Sequence, residues 1–312
     1  MILAAGFGTR LWPLTIDRTK PAVPFLNKPL IVYSVEYLRS FGVDEIIVNL
    51  HHQAESIVAI LGDGSSFSVR ISYSYESVIM GTSGALDLVR ELLQDGTFIV
   101  MNGKLVTNID LAAAMQLHRS RNALATLVLK QNVAREKFSK VFVDTEGNIL
   151  GFGAYPEASE EPVPLMFTGI QIMEPEILKY VPRGVFSHST IDVYPKAIAC
   201  GERIASYVAE GEWHELSTLR RYLDASLQLL SKSGKDIVLG EGCSIEPTAH
   251  VRNSVLWKNV TVGKAARLNR VVIGDEVTVP PGTVLSDAVI VKYRDYKIER
   301  GQVVDGNLIV AL

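Results

Sequence analysis

From residue 1 to about residue 230 the chain alternates short apolar runs with amphipathic stretches of helical period. The runs at 2–5, 45–50, 69–73, 98–101, 125–129, 140–143 and 167–172 have the length and β-branched content of strands. The stretches at 30–41, 53–61, 84–93, 111–120 and 219–230 repeat apolar residues every three or four positions, and Gly42 and Gly62 follow the first two as helix stops. Strands separated by helices predict an α/β layer architecture around a parallel or mixed sheet.

After the polar stretch Ser231-Lys232-Ser233-Gly234-Lys235 the period changes. Leu239, Ile245 and Val251 recur every six residues, as do Val262 with Leu268 and Ile273 with Val279, with single-residue slips between the groups and turn-forming residues between the apolar ones. This hexapeptide spacing predicts a short left-handed parallel β-helix, in which each apolar residue stacks on its counterpart one coil along; a run of ordinary hairpins is the alternative. The domains expected are therefore 1–232 and 236–312. Coils cannot stand alone if an end of the stack leaves apolar edges open, so packing on the first domain or on a second copy is expected, most simply as a homodimer.

Bulk properties narrow the partners. The 312 residues carry 31 basic and 34 acidic side chains, a net charge of −3, without basic runs, which argues against a nucleic-acid footprint and for a small ligand. Cys200 and Cys243 are isolated, with no metal-type spacing, as suits buried thiols in a reducing cytoplasm. No apolar run reaches the roughly 20 residues of a membrane span, so neither secretion nor membrane insertion is expected.

The densest chemistry lies at the start. The strand ending Leu3-Ala4-Ala5 runs into Gly6-Phe7-Gly8-Thr9-Arg10, then Pro13-Leu14-Thr15 and Lys20-Pro21-x-x-Pro24. Glycines after a strand let backbone N–H groups approach a polyphosphate, and Arg10 and Lys20 supply neutralising charge. Gly6-x-Gly8 alone would suit an ordinary turn. The third glycine of a dinucleotide-binding fingerprint is missing, since Thr9-Arg10-Leu11 stands there, which disfavours NAD.

The extended string resembles the signature of sugar nucleotidyltransferases, which make an NDP-sugar and pyrophosphate from an NTP and a sugar-1-phosphate. The hexapeptide tail strengthens the likeness, most of all to mannose-1-phosphate guanylyltransferases. The resemblance implies a Rossmann-like first domain with a mixed sheet. It implies Arg10 over the departing β,γ-phosphates and Lys20 between the α-phosphate and the sugar phosphate, with Leu3, Ala4, Ala5, Gly6, Gly8 and Thr9 lining the nucleotide. It also implies that a few residues ordinarily precede the first strand, so Met1 reads as a slightly shortened start.

Further blocks match in part. Tyr75-Glu76-x-x-x-x-Gly81-Thr82 resembles the nucleobase loop, where Gly81 and Thr82 would lie against the base and Glu76 would accept from guanine N1–H and N2–H, pointing to GTP with uridylyl- and thymidylyltransferases left open. Thr168-Gly169 matches the sugar-pocket strand. Asn102-Gly103-Lys104 stands where the family reads Asn-Gly-Asp, whose aspartate holds the catalytic Mg²⁺. Glu215, in Trp213-His214-Glu215, takes the place of the second metal aspartate, and Tyr155 that of a lysine on the sugar phosphate. If Lys104 and Glu215 meet, their charges occupy the space of the cation.

Mg²⁺ is therefore expected from the family and opposed by these residues. The alternative to an active enzyme is a silent homologue that binds nucleotide or NDP-sugar as a regulatory or partner subunit. An acyltransferase working through the coils is disfavoured, His250 being the one histidine there. His51 and His52 are adjacent, too close to share one metal comfortably, and read as structural.

Overall fold

The computed structural model describes residues 1–157 and 162–312. They form two compact units, Met1–Gly6 with Ser34–Ala54 and Leu61–Trp213, and Phe7–Tyr33 with Glu55–Ile60 and His214–Leu312. Among the described residues no helix is long and apolar enough to cross a membrane.

The first unit is built on a nine-stranded mixed sheet, as the alternation predicts. Its centre is the two-residue strand Ile2–Leu3, parallel to Glu45–Leu50 on one side and to Phe98–Asn102 on the other. Glu45–Leu50 continues in parallel to Arg70–Tyr75, whereas Phe98–Asn102 meets Leu165–Met173 antiparallel. Ile2, Val48, Val100, Met101, Ile170 and Ile172 are fully buried, which is why the runs that form these strands are continuously apolar. The chain leaves the first strand toward one side of the sheet and returns on the other, so the crevice beside Ile2–Leu3 is the topological switch point where α/β folds bind ligands.

Several expected boundaries move for visible reasons. The first strand ends at Leu3 rather than residue 5, because the Ala4 N–H is bonded to the Asn49 side chain instead of a neighbouring strand. The helix expected over 84–93 begins at Gly81, ends at Leu88 and is followed by a 3₁₀ turn, Arg90–Leu93. Its first turn is held from outside, with Ser83 N–H donating to the Ser187 carbonyl at 3.0 Å. Ile149–Phe152 and Ile204–Val208, which the pattern did not single out, add an antiparallel hairpin and a parallel strand to the sheet.

The second unit carries the left-handed β-helix. Ser244 pairs with Thr261 and Thr261 with Thr278, so each coil advances by 17 residues. That is three hexapeptides less one residue, which accounts for the slips in the sequence. Ile245, Val262 and Val279 stack in one column and Leu256, Ile273 and Ile290 fall in register in another. The same offset governs the corners, where Gly242, Asn259 and Glu276, and Asn253, Arg270 and Asp287, all adopt left-handed backbone.

The coil ends differ from one another. Val284–Lys292 is covered by the antiparallel strand Asn307–Ala311, itself paired with Gln302–Val304, so on this face the C-terminal edge is capped by the chain itself. The open apolar edge is at the first coil, where Leu239 is 45% exposed. Helix Leu219–Lys232 belongs to the second unit, and its buried Tyr222 hydroxyl accepts from the Trp257 indole N–H at 3.1 Å.

One buried ion pair in the first unit makes a test. Asp87 accepts from Arg90 at 2.8 Å and from the Gly184 N–H at 2.7 Å, and Arg90 also donates to the Leu178 and Val181 carbonyls. Burial pushes the Asp87 carboxyl up, but the Gly184 bond and Arg90 outweigh it and hold the carboxyl below its ordinary value of 3.8. Its contribution is thus full above that value and lost as pH falls through the depressed one. Asp87→Asn should cost about 3 kcal/mol at neutral pH. In thermal melts across pH the gap from the parent protein should narrow below about pH 4; a gap constant down to pH 2 would remove this account.

Candidate functional site

Three strands of the first unit end together. Leu3 lies in register with Asn49 on one side and Asn102 on the other, and the Gly103 N–H donates to the Leu3 carbonyl at 2.9 Å. Asn49 Oδ1 accepts from the Ala4 N–H at 2.7 Å and Asn49 Nδ2 donates to Glu76 Oε1 at 2.6 Å. Glu76 Oε2 accepts from the Met80 N–H at 2.9 Å, one residue before Gly81. A continuous bonded chain therefore joins the start of the glycine loop to the expected nucleobase loop. Ala4, Ala5, Asn102 and Gly103 gather at this crevice with Gly6, where an added Cβ would meet nothing within 4 Å. Lys104 follows, half-buried, before the strand Leu105–Thr107.

Two glycines here are fixed by close approach. Gly169 has φ +85°, and a Cβ on it would stand 2.2 Å from Asn102 Nδ2. It sits where the register of Leu165–Met173 shifts, so the expected sugar strand and the expected nucleotide strand meet at this pair. Gly81 has φ +77°, and a Cβ would lie 2.4 Å from the Ser187 carbonyl oxygen. Beside it Thr82 Oγ1 accepts from the Ser189 N–H at 3.0 Å.

In the second unit, Gly8 has φ +69°, with its Cβ position 3.0 Å from Lys20 Cβ and 3.2 Å from Thr15 Cγ2. Thr15 Oγ1 donates to the Gly8 carbonyl at 3.3 Å, so the 8–20 loop closes on itself. Thr9 and Arg10 lie exposed on the 3₁₀ turn Thr9–Leu11, and Lys20 is buried at the head of the turn Lys20–Ala22. An exposed guanidinium and a buried ammonium on one glycine-closed loop suit the ends of a polyphosphate.

Three of the expected site residues have partners inside the fold. Glu76 accepts from the Asn49 amide through one carboxylate oxygen and from the Met80 N–H through the other. The Thr168 hydroxyl donates to the Val128 carbonyl at 2.7 Å and its carbonyl accepts from the Trp213 indole N–H. Buried Glu215 is ion-paired with Arg221 at 3.0 Å, and Arg221 also donates to Ser217. Among the described residues no group of three His, Cys, Asp or Glu side chains is placed to hold a metal.

Asn49, Arg221 and the 187–189 segment were not among the expected site residues. Asn49 is legible as a polar residue closing an apolar strand. The bonds of 187–189 to 81–84 cross more than a hundred residues and leave no local signal.

Two substitutions test this geometry. Gly169→Ala must force both the backbone and Asn102 and should destabilise the fold by about 2 kcal/mol or more, whereas Gly6→Ala, in open space, should leave the melting temperature nearly unchanged. Glu76→Ala strands the Met80 N–H and the Asn49 amide and should cost about 3 kcal/mol without any nucleotide present. Unchanged chemical-denaturation midpoints would show that these groups do not carry the crevice.

Comparison with known proteins divides the chain near residue 230. The nucleotidyl transferase family model matches residues 1–232, and a GlmU-like C-terminal hexapeptide model matches 230–304. The chain is 32% identical to a UTP–glucose-1-phosphate uridylyltransferase of Synechocystis sp., covering 94% of this chain and 82% of that one. It is 27% identical to a mannose-1-phosphate guanylyltransferase of Mycobacterium tuberculosis, covering 91% and 82%. A crystal structure titled as a glucose-1-phosphate thymidylyltransferase of Bacillus anthracis shares the fold, with a TM-score of 0.64 at 21% identity over 73% of this chain and 93% of that one. With the family model matching residues 1–232, a stretch that holds both the glycine loop and the strands of the mixed sheet, the chain belongs to the nucleotidyl transferase family.

Proposed function

We propose that the protein is a sugar-1-phosphate nucleotidyltransferase, in which a sugar-1-phosphate oxygen attacks the α-phosphorus of an NTP and pyrophosphate leaves in line. The observation that supports this most directly is the 8–20 loop, where Gly8 has left-handed backbone at φ +69° and a Cβ there would stand 3.0 Å from Lys20 Cβ. Such transfers need little covalent chemistry from the protein, so positioning and charge neutralisation supply most of the acceleration. Arg10, exposed on the loop, covers the departing β,γ-phosphates. Lys20 neutralises the α-phosphate and the incoming sugar phosphate together. The backbone from Ala5 to Thr9 offers its N–H groups, the Ala4 N–H being held by Asn49, and the close pair Asn102 and Gly169 belongs to the strands read as the sugar side.

The relatives' names divide between uridylyl and guanylyl transfer. Base selection on this reading lies with Glu76, held by Asn49 and the Met80 N–H, and with the backbone around Gly81 and Thr82, with GTP the favoured base and UTP and dTTP left open. A protein-held Mg²⁺ does not fit the residues present. Glu215 is committed to Arg221, and Lys104 stands where the family carries an aspartate. No step is assigned to the metal here.

The same residues favour a second reading, a nucleotide-binding homologue of low turnover that serves as a partner or regulatory subunit. Tyr155, 59% exposed in place of the family's lysine, adds to it. Pyrophosphate release from GTP, UTP and dTTP with mannose- or glucose-1-phosphate separates the two. We expect slow turnover by the unchanged protein, a gain with Lys104→Asp in the presence of Mg²⁺, and nucleotide affinity little altered by EDTA. Lys20→Ala should lower whatever turnover exists by about a hundredfold. Rapid, strictly Mg²⁺-dependent turnover by the unchanged protein would exclude the low-turnover reading, and failure to bind any NTP would exclude both.

A further inference from the structure

The 8–20 loop packs in one compact unit with the β-helix, and several ties fasten it and the residues after it to the coils and their flanking helix. The Arg300 guanidinium donates to the Trp12 carbonyl at 2.8 Å. Asn27 Nδ2 donates to the Leu256 carbonyl at 3.1 Å, and the Tyr222 hydroxyl donates to the Pro24 carbonyl. The tie nearest Lys20 is Arg18. Its Nη2 lies 2.8 Å from Asp275 Oδ2, its Nε lies 2.8 Å from Asp17 Oδ1, and its guanidinium stands 5.2 Å over the ring of Trp257. Asp275 is itself fixed, because its other oxygen accepts from the Lys258 N–H at 3.0 Å on the neighbouring coil. Trp257 is 2% exposed and anchored through its indole N–H to Tyr222.

We infer that Arg18 is a positioning residue through which the β-helix holds the phosphate-gripping loop in its closed form, so that the coils set affinity for the triphosphate without touching it. The physical grounds are three. Arg18 and Asp275 are largely shielded from solvent, 22% and 26% exposed, so their attraction is screened less than that of a surface pair. The fork of Arg18 is oriented at once by two carboxylates and an aromatic face, a geometry lysine cannot reproduce. The loop's own backbone bonds are short-range turns, Leu11 N–H to Gly8, Trp12 N–H to Thr9, Leu14 N–H to Leu11 and Ile16 N–H to Pro13, so ties from outside it, Arg18 beside Arg300, add to the burial of Leu11 and Leu14 in holding it against chain entropy. Arg18 and Asp275 lie outside the group of residues assigned to substrate. The consequence for affinity rests on reading the 8–20 loop as the triphosphate grip.

Two readouts separate the latch from that reading. Hydrogen exchange at the amides of Leu11, Trp12, Leu14 and Ile16 reports loop opening whether or not a nucleotide binds. Titration with GTP, UTP, dTTP and inorganic tripolyphosphate reports the grip. For Asp275→Asn and Arg18→Ala we expect exchange at these four amides to rise by about tenfold and triphosphate affinity to fall by about the same factor, with Arg18→Lys in between. Arg270→Ala is the control. It breaks comparable ion pairs to Asp224 and Asp287 in the same unit but away from the loop, and should leave both readouts unchanged. If Arg18→Ala does not fold, the nearly isosteric Asp275→Asn still decides. Unchanged exchange in Asp275→Asn, or an equal change in Arg270→Ala, overturns the inference. Faster exchange in a protein that binds no triphosphate upholds the latch and overturns the grip.

Discussion

The hydrogen bond from the Ala4 N–H to the Asn49 side chain is the constraint on which the crevice depends. It replaces the backbone bond a longer first strand would have made, so the chain leaves the sheet at Leu3 and enters the glycine loop at the switch point between Glu45–Leu50 and Phe98–Asn102. Because Asn49 is buried, its other amide atom also needs a partner, and Glu76 supplies it. Glu76 in turn fixes the Met80 N–H and thereby the entry to the helix Gly81–Leu88. One buried amide thus sets where the loop starts and where the facing loop sits.

Satisfying buried polar groups also explains how the chain uses its acidic residues. Glu76 and Glu215 are both largely buried, and each is compensated within its own unit, Glu76 by Asn49 and a backbone N–H and Glu215 by Arg221. A carboxylate so compensated is held in place and rigid, which suits it to shaping a site more than to exchanging partners with a ligand.

The β-helix applies a different economy. A 17-residue coil returns the same residue to the same corner each time, and those corners demand left-handed backbone. Where glycine is absent, asparagine, aspartate, arginine and glutamate accept that conformation, and Arg270 links its own corner to the next coil through Asp287 and to the helix Leu219–Lys232 through Asp224. Interior stacking supplies the cohesion, and the antiparallel strands at 302–311 end it without a second chain.

Periodicity predicted the alternating α/β region around a parallel or mixed sheet, the coils and the slip in their period, because burial of one face or one column repeats at intervals of a few residues, and the resemblance to a family chose the mixed sheet. The glycine string and its two cations were legible for a similar reason: a loop that closes tightly on itself, as Gly8 does against Lys20 and Thr15, writes its needs into nearby positions. The tertiary structure decided the rest. Asn49 captures the Ala4 N–H 45 residues away, Ser187 closes over the helix start at Ser83, and Arg18 reaches Asp275 across 257 residues. Whether Glu76, Thr168 or Glu215 faces a ligand or the fold depends on which distant partner arrives first at each buried polar atom. Local sequence does not encode that, since the cost of an unpaired buried group is settled by the packed neighbours alone.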